Sequence, residues 1–483
     1  MSSVKNNAVK GLFWSFLDSF GAYFVKFGFS IAIARALSPD DYGIMGMIVI
    51  FIALGQIVMT GGFSMALVQK QGTTDRDYST VFWYNLGIAC LIYCLLFFAA
   101  GPIADFYDSP ILKDVTRITS LGIIFSSLAV VQVAVLTKRM DFRSQAIINL
   151  VSSLVSGIFG VFFAYRGFAV WALVIQTLAG GVAGTLGFWV ISDWRPKFIF
   201  DRGSFISLNR YGSKIFFQGL GDVIFTKIYF PLIGKYFSAA QLGYYTNANR
   251  FYDIFVRQVS NAFNRVMFPA FSSIQDESER FNRNYLMSFD VLFWFASVVS
   301  LVLILAARPF VSVFLTEKWL PAVPLMTVFF IEGFFFPLLM LNQNILCSIG
   351  KTGTSLKIDI LKKVLTFGSI FIAFRFGIQA LIMGQVAGSF IAFAVSAFVV
   401  FRTLKVSMGQ MFRKAFPVII ITVLCGAGGY LLKNAGMNSD WALLAANISL
   451  IPALYLALSF LFRISAIKEL RVFIRGYLET RGK

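Results

Sequence analysis

The chain alternates between long apolar stretches and short polar segments along nearly its whole length. A helix that crosses the hydrocarbon core of a bilayer needs about 20 mostly apolar residues. Stretches of this kind recur along the chain, and they predict about fourteen transmembrane helices. Their approximate bounds are 12–34, 43–65, 81–100, 118–136, 147–165, 168–191, 215–233, 242–270, 289–307, 322–346, 358–374, 378–400, 416–432 and 441–462.

The composition supports an all-α polytopic membrane protein. Hydrophobic residues make up 58% of the chain and charged residues 13%, against roughly 45–50% and 25% in soluble domains. A soluble globule could not hide this much apolar surface, and disordered chains are poor in aromatic residues. No loop is long enough for a separate soluble domain.

The basic excess predicts an orientation in the membrane. The chain has 42 Lys and Arg against 23 Asp and Glu, a net charge of +19. With a cytoplasmic N-terminus, the cytoplasmic segments hold 26 of the 42 cations and the opposite loops hold nine. Because cytoplasmic loops are enriched in Lys and Arg, we expect both termini in the cytoplasm. The same enrichment explains the charge without nucleic-acid binding. The start, MSSVKNNAVK, lacks a cleavage site after a short apolar core, so no removable signal peptide is expected.

Cysteine and histidine usage predicts no metal site and no cofactor. Cys90, Cys94, Cys347 and Cys425 lie within or at the end of apolar stretches, and histidine is absent. The spacing of the cysteines matches neither a disulfide framework nor a zinc site.

A shift of 200 residues pairs two similar segments, which indicates an internal repeat. ARALSPDDYG (34–43) aligns with GKYFSAAQLG (234–243). Ser38 and Ser238 are predicted to cap the helices that follow, and Asp41 and Gln241 occupy the reciprocal position of a capping box. A second pair, GFAVWALVIQTLAG (167–180) and GIQALIMGQVAG (377–388), supports the same duplication.

The repeat predicts two pseudo-symmetric six-helix lobes. We expect the N-terminal lobe at 1–191, a cytoplasmic linker at 192–214 and the C-terminal lobe at 215–402. Two additional helices and a basic cytoplasmic tail fill 403–483.

Polar residues cluster on one side of the eighth span. At 100° per residue they fall within an arc of about 120°, and they are Asn247, Arg250, Asp253, Arg257, Asn261, Asn264 and Arg265. Three interpretations are open: a helix lying on the membrane surface, a buried seam of ion pairs, or one wall of a hydrated cationic cavity. In the last, the excess of arginine suits an anion such as phosphate.

Other ionisable residues lie inside predicted spans, where charge is costly and usually functional. Lys26 in the first span and Lys227 in the seventh are predicted to join the substrate cavity. Asp18, Asp222 and Glu332 are candidates for coupling transport to an ion gradient. Alternatively, Glu332 is a structural partner for one of the arginines.

Several segments resemble the oligosaccharide flippases of bacterial polysaccharide biosynthesis, the Wzx-like branch of the MOP superfamily. That superfamily also contains MATE drug exporters and the lipid II flippase. The segments are ARALSPDDYGIMGMIVIFIALGQ, ALVQK (66–70), STVFWYNLG (79–87), LTKRMDFRSQA (136–146), GFAVWAL (167–173), LGYYTNANR (242–250) and VMFPAFSSIQ (266–275).

The resemblance implies a MATE-like fold in the bacterial inner membrane, a central cationic cavity and alternating access. The implied cargo is an undecaprenyl-pyrophosphate-linked oligosaccharide for O-antigen, capsule or exopolysaccharide synthesis, with membrane lipids and polysaccharide polymerase or ligase components as partners. Two alternatives remain: a MATE-like exporter of small molecules, and a membrane-embedded glycosyltransferase or ligase with Asp40 and Asp41 as catalytic carboxylates.

Overall fold

The computed structural model describes residues 25–434 and 439–467, and this part of the chain is helical without β-strands. It divides into two compact units, one that ends at Thr246 and one that begins at Asn247. The division therefore falls inside a helix, and residues 202–246 pack with the first unit. The two six-helix lobes with bounds at 191 and 215 stay a prediction.

The first unit contains nine helices and the start of a tenth among its described residues. They are α1 (25–36), α2 (Pro39–Thr60), α3 (Phe63–Gln69), α4 (Asp75–Phe106), α5 (Ile111–Lys138), α6 (Phe142–Tyr165), α7 (Val170–Ile191), α8 (Arg202–Lys227), α9 (Tyr229–Tyr236) and α10 (Ala239–Tyr252). The helix pairs α4–α5 and α6–α7 pack along their lengths, and α2 contacts α5, α8 and α9.

The second unit continues from the end of α10 through a π-helical turn (Asp253–Arg257). Its helices are α11 (Gln258–Ser272), α12 (Ser278–Phe310), α13 (Val323–Glu332), α14 (Phe336–Ser348), α15 (Thr352–Ala373), α16 (Ile378–Leu404), α17 (Met408–Asn434) and α18 (Asp440–Leu461). A second π-helical turn (Val311–Leu315) and two short 3-10 helices (Glu317–Ala322 and Phe374–Phe376) complete it.

The described residues contain ten helical stretches that are long and apolar enough to cross a membrane. All predicted spans after the first lie on a helix or on two successive helices, so the polytopic all-α prediction is confirmed. Three predicted spans fall outside the ten, at 215–233, 242–270 and 358–374, and most of the first span lies outside the described residues. The three outside the ten carry charged side chains. The count of fourteen stays a prediction.

The helix starts confirm the 200-residue offset of the repeat. Ser38 Oγ accepts a hydrogen bond from Asp41 N–H at 3.3 Å, and Asp41 Oδ2 accepts one from Ser38 N–H at 2.8 Å. Ser238 Oγ accepts one from Gln241 N–H at 3.1 Å. Helices α2 and α10 begin 200 residues apart, and α1 and α9 end 200 residues apart. The capping box also explains Asp41 without a catalytic role.

The predicted linker over 192–214 is only partly irregular. Helix α8 begins within it, at Arg202, because Asp201 Oδ2 accepts a hydrogen bond from Ser204 N–H at 2.6 Å and so caps the helix. Hydrogen bonds to Ser204 also lower the pKa of the Asp201 carboxyl below its ordinary value. Asp201 N–H donates to Thr80 Oγ1 at 2.9 Å, which ties this start to α4.

The central element of the second unit is the broken pair α13–α14, the most buried of the ten apolar stretches. The break falls at residues 333–335, and Pro337 lies in the first turn of α14. A Cβ atom at Gly333 would overlap Ser300 Oγ, so a larger residue here would force Ser300 on α12 to move. The last residue of α13 is Glu332, which places a carboxyl group in the interior of the unit.

Candidate functional site

A polar face follows the end of α10, the π-helical turn and α11. Arg250, Asp253, Arg257 and Asn264 are half-buried and Asn261 is exposed. The side chains between them are buried in the unit, namely Phe251, Tyr252, Val256 and Ser260. Part of the predicted polar side is therefore accessible, whereas Asn247, predicted on the same side, is buried.

A uniform α-helix over 242–270, which the periodicity predicts, is wrong at residues 253–257. There the backbone makes i→i+5 hydrogen bonds, and Gln258 N–H donates to the Asp253 carbonyl. A π-helical turn inserts one extra residue, so the side chains after it are rotated relative to a uniform helix. Such turns are rare and occur frequently at functional sites.

The π-helical turn holds an ion pair. Arg257 Nη1 lies 2.9 Å from Asp253 Oδ1, and Asn249 Nδ2 donates to Asp253 Oδ2 at 3.3 Å. The Arg257 guanidinium also lies 5.2 Å from the centroid of the Tyr252 ring. The Asp253 and Arg257 side chains are 36% and 28% exposed. The pair is therefore only partly buried.

A second ion pair joins α13 to α15. Glu332 Oε1 lies 3.6 Å from Lys362 Nζ, which is longer than a hydrogen bond. Glu332 is 1% exposed, and its Oε2 makes no hydrogen bond in the described part of the chain. The Lys362 side chain is 22% exposed. The structure thus pairs Glu332 with Lys362, and a pairing of Glu332 with one of the arginines stays a prediction.

Two aromatic rings connect the two ion pairs. Lys362 Nζ lies 5.2 Å from the centroid of the Phe336 ring, and the Phe336 and Tyr252 centroids are 6.2 Å apart in an edge-to-face arrangement. Arg257 covers the other ring, that of Tyr252. We call Asp253, Arg257, Glu332 and Lys362, with these two rings, the charge cluster. It brings α10, the π-helical turn, α13, α14 and α15 together.

The remaining predicted residues of the eighth span have different surroundings. Asn264 Oδ1 accepts a hydrogen bond from Asn344 Nδ2 at 2.8 Å, so it contributes to the packing of α11 on α14. Asn247 is buried, and its amide atoms make no hydrogen bond within the described residues. The side chain of Arg265 is not described.

The predicted cavity residues Lys26 and Lys227 belong to the first unit. Lys26 is exposed on α1, and Lys227 is half-buried with its Nζ 5.3 Å from the centroid of the Phe230 ring. Asp222 is half-buried on α8, and Asp18 lies outside the described residues. A cavity shared by these residues and the charge cluster stays a prediction.

Sequence reasoning missed Lys362. It lies inside the predicted span 358–374, so the rule that singled out Glu332, an ionisable residue within a span, also applied to it. Lys362 lies near the polar end of that span, so it was not recognised as a charge inside the membrane. Lys363 follows it and forms an ion pair with Asp359 on the same helix, at 2.7 Å.

The segments ALVQK and LTKRMDFRSQA meet at one end of the first unit. Lys138 Nζ donates to the carbonyls of Leu67 and Lys70 and contacts Thr73 Oγ1. Lys70 Nζ lies 2.7 Å from a carboxylate oxygen of Asp77, which is buried. These motif residues fasten α3, α4 and α5 together, so their role here is structural.

Comparison with known proteins identifies a family and a fold. The family model described as "polysaccharide biosynthesis protein" matches residues 32–324. The succinoglycan biosynthesis transport protein ExoT of Rhizobium meliloti (strain 1021) is 27% identical over 313 residues, which are 65% of this chain and 63% of ExoT. The chain thus spans less than two thirds of ExoT. The teichuronic acid biosynthesis protein TuaB of Bacillus subtilis (strain 168) is 25% identical over 77% of each chain.

Solved structures share the fold at low sequence identity. The lipid II flippase MurJ in an inward closed conformation matches with a TM-score of 0.76 at 16% identity, over 93% of this chain and 98% of MurJ. An inward-facing MATE-family multidrug resistance transporter of the MOP superfamily matches with a TM-score of 0.62 at 15% identity, over 80% of this chain and 94% of that one. The expected MOP-type fold is confirmed.

Proposed function

Because this chain belongs to the polysaccharide biosynthesis protein family, we propose that it is a flippase for lipid-linked oligosaccharides. The cargo is an undecaprenyl-pyrophosphate-linked sugar unit, which crosses from the cytoplasmic to the periplasmic leaflet of the inner membrane. The relatives named for succinoglycan transport and teichuronic acid biosynthesis support an envelope or secreted polysaccharide as the end product.

The observation that carries this proposal is the cationic polar face on α10, the π-helical turn and α11. Arg250 and Arg257 lie inside a predicted span, and both are partly exposed. Guanidinium groups bind phosphate oxygens through paired hydrogen bonds and stay charged at every physiological pH. A pyrophosphate headgroup is the part of the cargo that such a face would hold, while the prenyl tail remains in lipid.

Translocation follows by alternating access between two six-helix lobes. The likeness to MurJ and to a MATE transporter supports this architecture. The 26 to nine distribution of Lys and Arg supports cytoplasmic termini. Polymerase or ligase components that use the exported unit are the expected protein partners.

The test uses cells that depend on this protein for export of the lipid-linked glycan. The double variant R250A/R257A should abolish export at normal membrane abundance. The matched control is R280A, because Arg280 is an exposed arginine, 54% accessible, paired with Glu277 at 3.1 Å. Full export by R250A/R257A would remove these arginines from the transport path. Sugar transfer catalysed by the purified wild-type protein would contradict the proposal itself.

A further inference from the structure

The two cations of the charge cluster are each held by a carboxylate of the protein itself. Arg257 pairs with Asp253, and Lys362 pairs with Glu332. In the second pair the cation is the more accessible partner: Lys362 is 22% exposed, whereas Glu332 is 1% exposed. Part of the Lys362 side chain can therefore be reached from outside the interior, whereas Glu332 is enclosed.

The orientation of α15 keeps Lys362 away from its apolar surface. That surface is formed by exposed side chains three or four residues apart, namely Leu356, Ile360, Val364, Phe367 and Phe371. Lys362 is two residues from Ile360 and from Val364, which places it roughly 200° around the helix from each. Its Nζ instead lies near Glu332 and the Phe336 ring.

The Lys362–Glu332 contact is weak in geometry. At 3.6 Å it is an ion pair without a hydrogen bond, and Glu332 Oε2 makes no hydrogen bond among the described residues. A charge pair with little access to water is stable only when good hydrogen bonds offset the loss of hydration. A phosphate oxygen at hydrogen-bonding distance from Lys362 would therefore make a stronger partner than Glu332 does.

We propose that Lys362 binds the phosphate group of the cargo together with Arg257. When no cargo is present, Glu332 forms the ion pair with Lys362 in place of the phosphate. This rests on the proposed function and deepens it. The ligand class is an isoprenyl pyrophosphate. Asp253 has the same role for Arg257, so the two carboxylates neutralise the two cations until the headgroup displaces them. Each cation lies against one of the two edge-to-face rings, Arg257 against Tyr252 and Lys362 against Phe336.

If Glu332 competes with the phosphate for Lys362, two variants should change phosphate binding in opposite directions. Removing the cation, K362M, should weaken phosphate binding, whereas removing its competitor, E332Q, should strengthen it. A structural pair would respond to both changes in the same direction, because each leaves one buried group without its partner.

The experiment measures binding of farnesyl pyrophosphate to the full chain in lipid nanodiscs by calorimetry, with farnesol as the uncharged control. We expect K362M to raise the Kd by about ten- to hundredfold, the effect of one charge-assisted contact. E332Q should lower the Kd by about threefold or more, because the internal competitor is gone. The matched control is K363M, which removes the neighbouring lysine that pairs with Asp359, and its Kd should equal that of the wild type.

A further variant guards against misfolding. E332Q/K362M leaves no uncompensated charge at this position, so it should elute as the wild type does and still bind weakly. The inference would be overturned if the double variant had the Kd of the wild type, or if E332Q alone had a higher Kd than the wild type. If the wild type exports glycan while either result is found, the proposed function stands without this role for Lys362. Wild-type protein that neither exports glycan nor binds the probe would overturn both.

Discussion

Gly43 lies directly against the backbone carbonyl of Ala239, so closely that a Cβ atom on the glycine would overlap the carbonyl oxygen. The contact has a counterpart 200 residues along the chain. A Cβ atom on Gly243 would overlap the carbonyl oxygen of Pro39 in the same way. The two helix starts predicted to be repeats thus contact each other reciprocally, with each glycine on the first turn of the other helix.

This contact should not tolerate a methyl group at either glycine. We expect G43A and G243A each to lower the free energy of unfolding by about 1–3 kcal/mol, because backbone atoms cannot move aside as a side chain can. The measurement is unfolding of the purified protein in detergent. The control is G87A on α4, where a Cβ meets no atom within 4 Å. Equal stability of all three variants would show that the two helix starts are not in contact.

The buried ion pair at the start of α4 should matter more than the exposed one beside it. Asp77 pairs with Lys70 at 2.7 Å and is 2% exposed, whereas Asp75 pairs with Lys197 at 2.6 Å and is 52% exposed. D77A should destabilise the protein by about 2–3 kcal/mol, since it leaves Lys70 without its carboxylate and opens the capping box.

The matched variant D75A should change stability by only about 0–1 kcal/mol, because solvent screens an exposed pair. Thermal unfolding of both variants gives the comparison. A larger loss for D75A than for D77A would reverse the ranking that burial predicts.

A polar chain in the second unit links three helices. Tyr285 O–H donates to Asn342 Oδ1 at 2.9 Å, and Asn342 Nδ2 donates to Ser396 Oγ at 3.0 Å. N342L should cost about 1–3 kcal/mol, because the buried Tyr285 hydroxyl loses its acceptor. In the double variant Y285F/N342L the loss should be smaller than the sum of the two single losses. Additive losses in this cycle would mean that the two side chains are not coupled.

The polar face of α11 should be in contact with water. In a background without Cys90, Cys94, Cys347 and Cys425, N261C should react with a membrane-impermeant thiol reagent, since thiolates form in water. F371C, on the apolar surface of α15 and 71% exposed, should stay unlabelled in intact membranes. Failure of N261C to react from either side would place this face in lipid or in sealed protein.

Local patterns were sufficient to predict some elements. The capping box of Ser38 and Asp41 depends on residues three apart, and the polar face of α10 and α11 depends on helical periodicity. Both were predicted because the relevant neighbours are close in sequence. The reciprocal glycine contact was not, although its two segments were aligned, because an alignment does not say which surfaces touch.

The charge cluster lay beyond sequence reasoning for a similar reason. Glu332 and Lys362 are on different helices, and their pairing depends on how α13 and α15 cross. The π-helical turn at 253–257 was not predicted either, because helical periodicity assumes a uniform helix. The sequence shows that Glu332 and Lys362 are charged residues within predicted spans, but only the tertiary structure shows that they pair.

The most direct test of the account is translocation by the purified protein. Vesicles are prepared with undecaprenyl-pyrophosphate-linked oligosaccharide in both leaflets, and an impermeant glycosidase is added outside. With wild-type protein, the enzyme should eventually consume the sugar of both leaflets, whereas with R250A/R257A it should consume only that of the outer leaflet. Wild-type vesicles in which the inner-leaflet sugar stays protected would contradict the account.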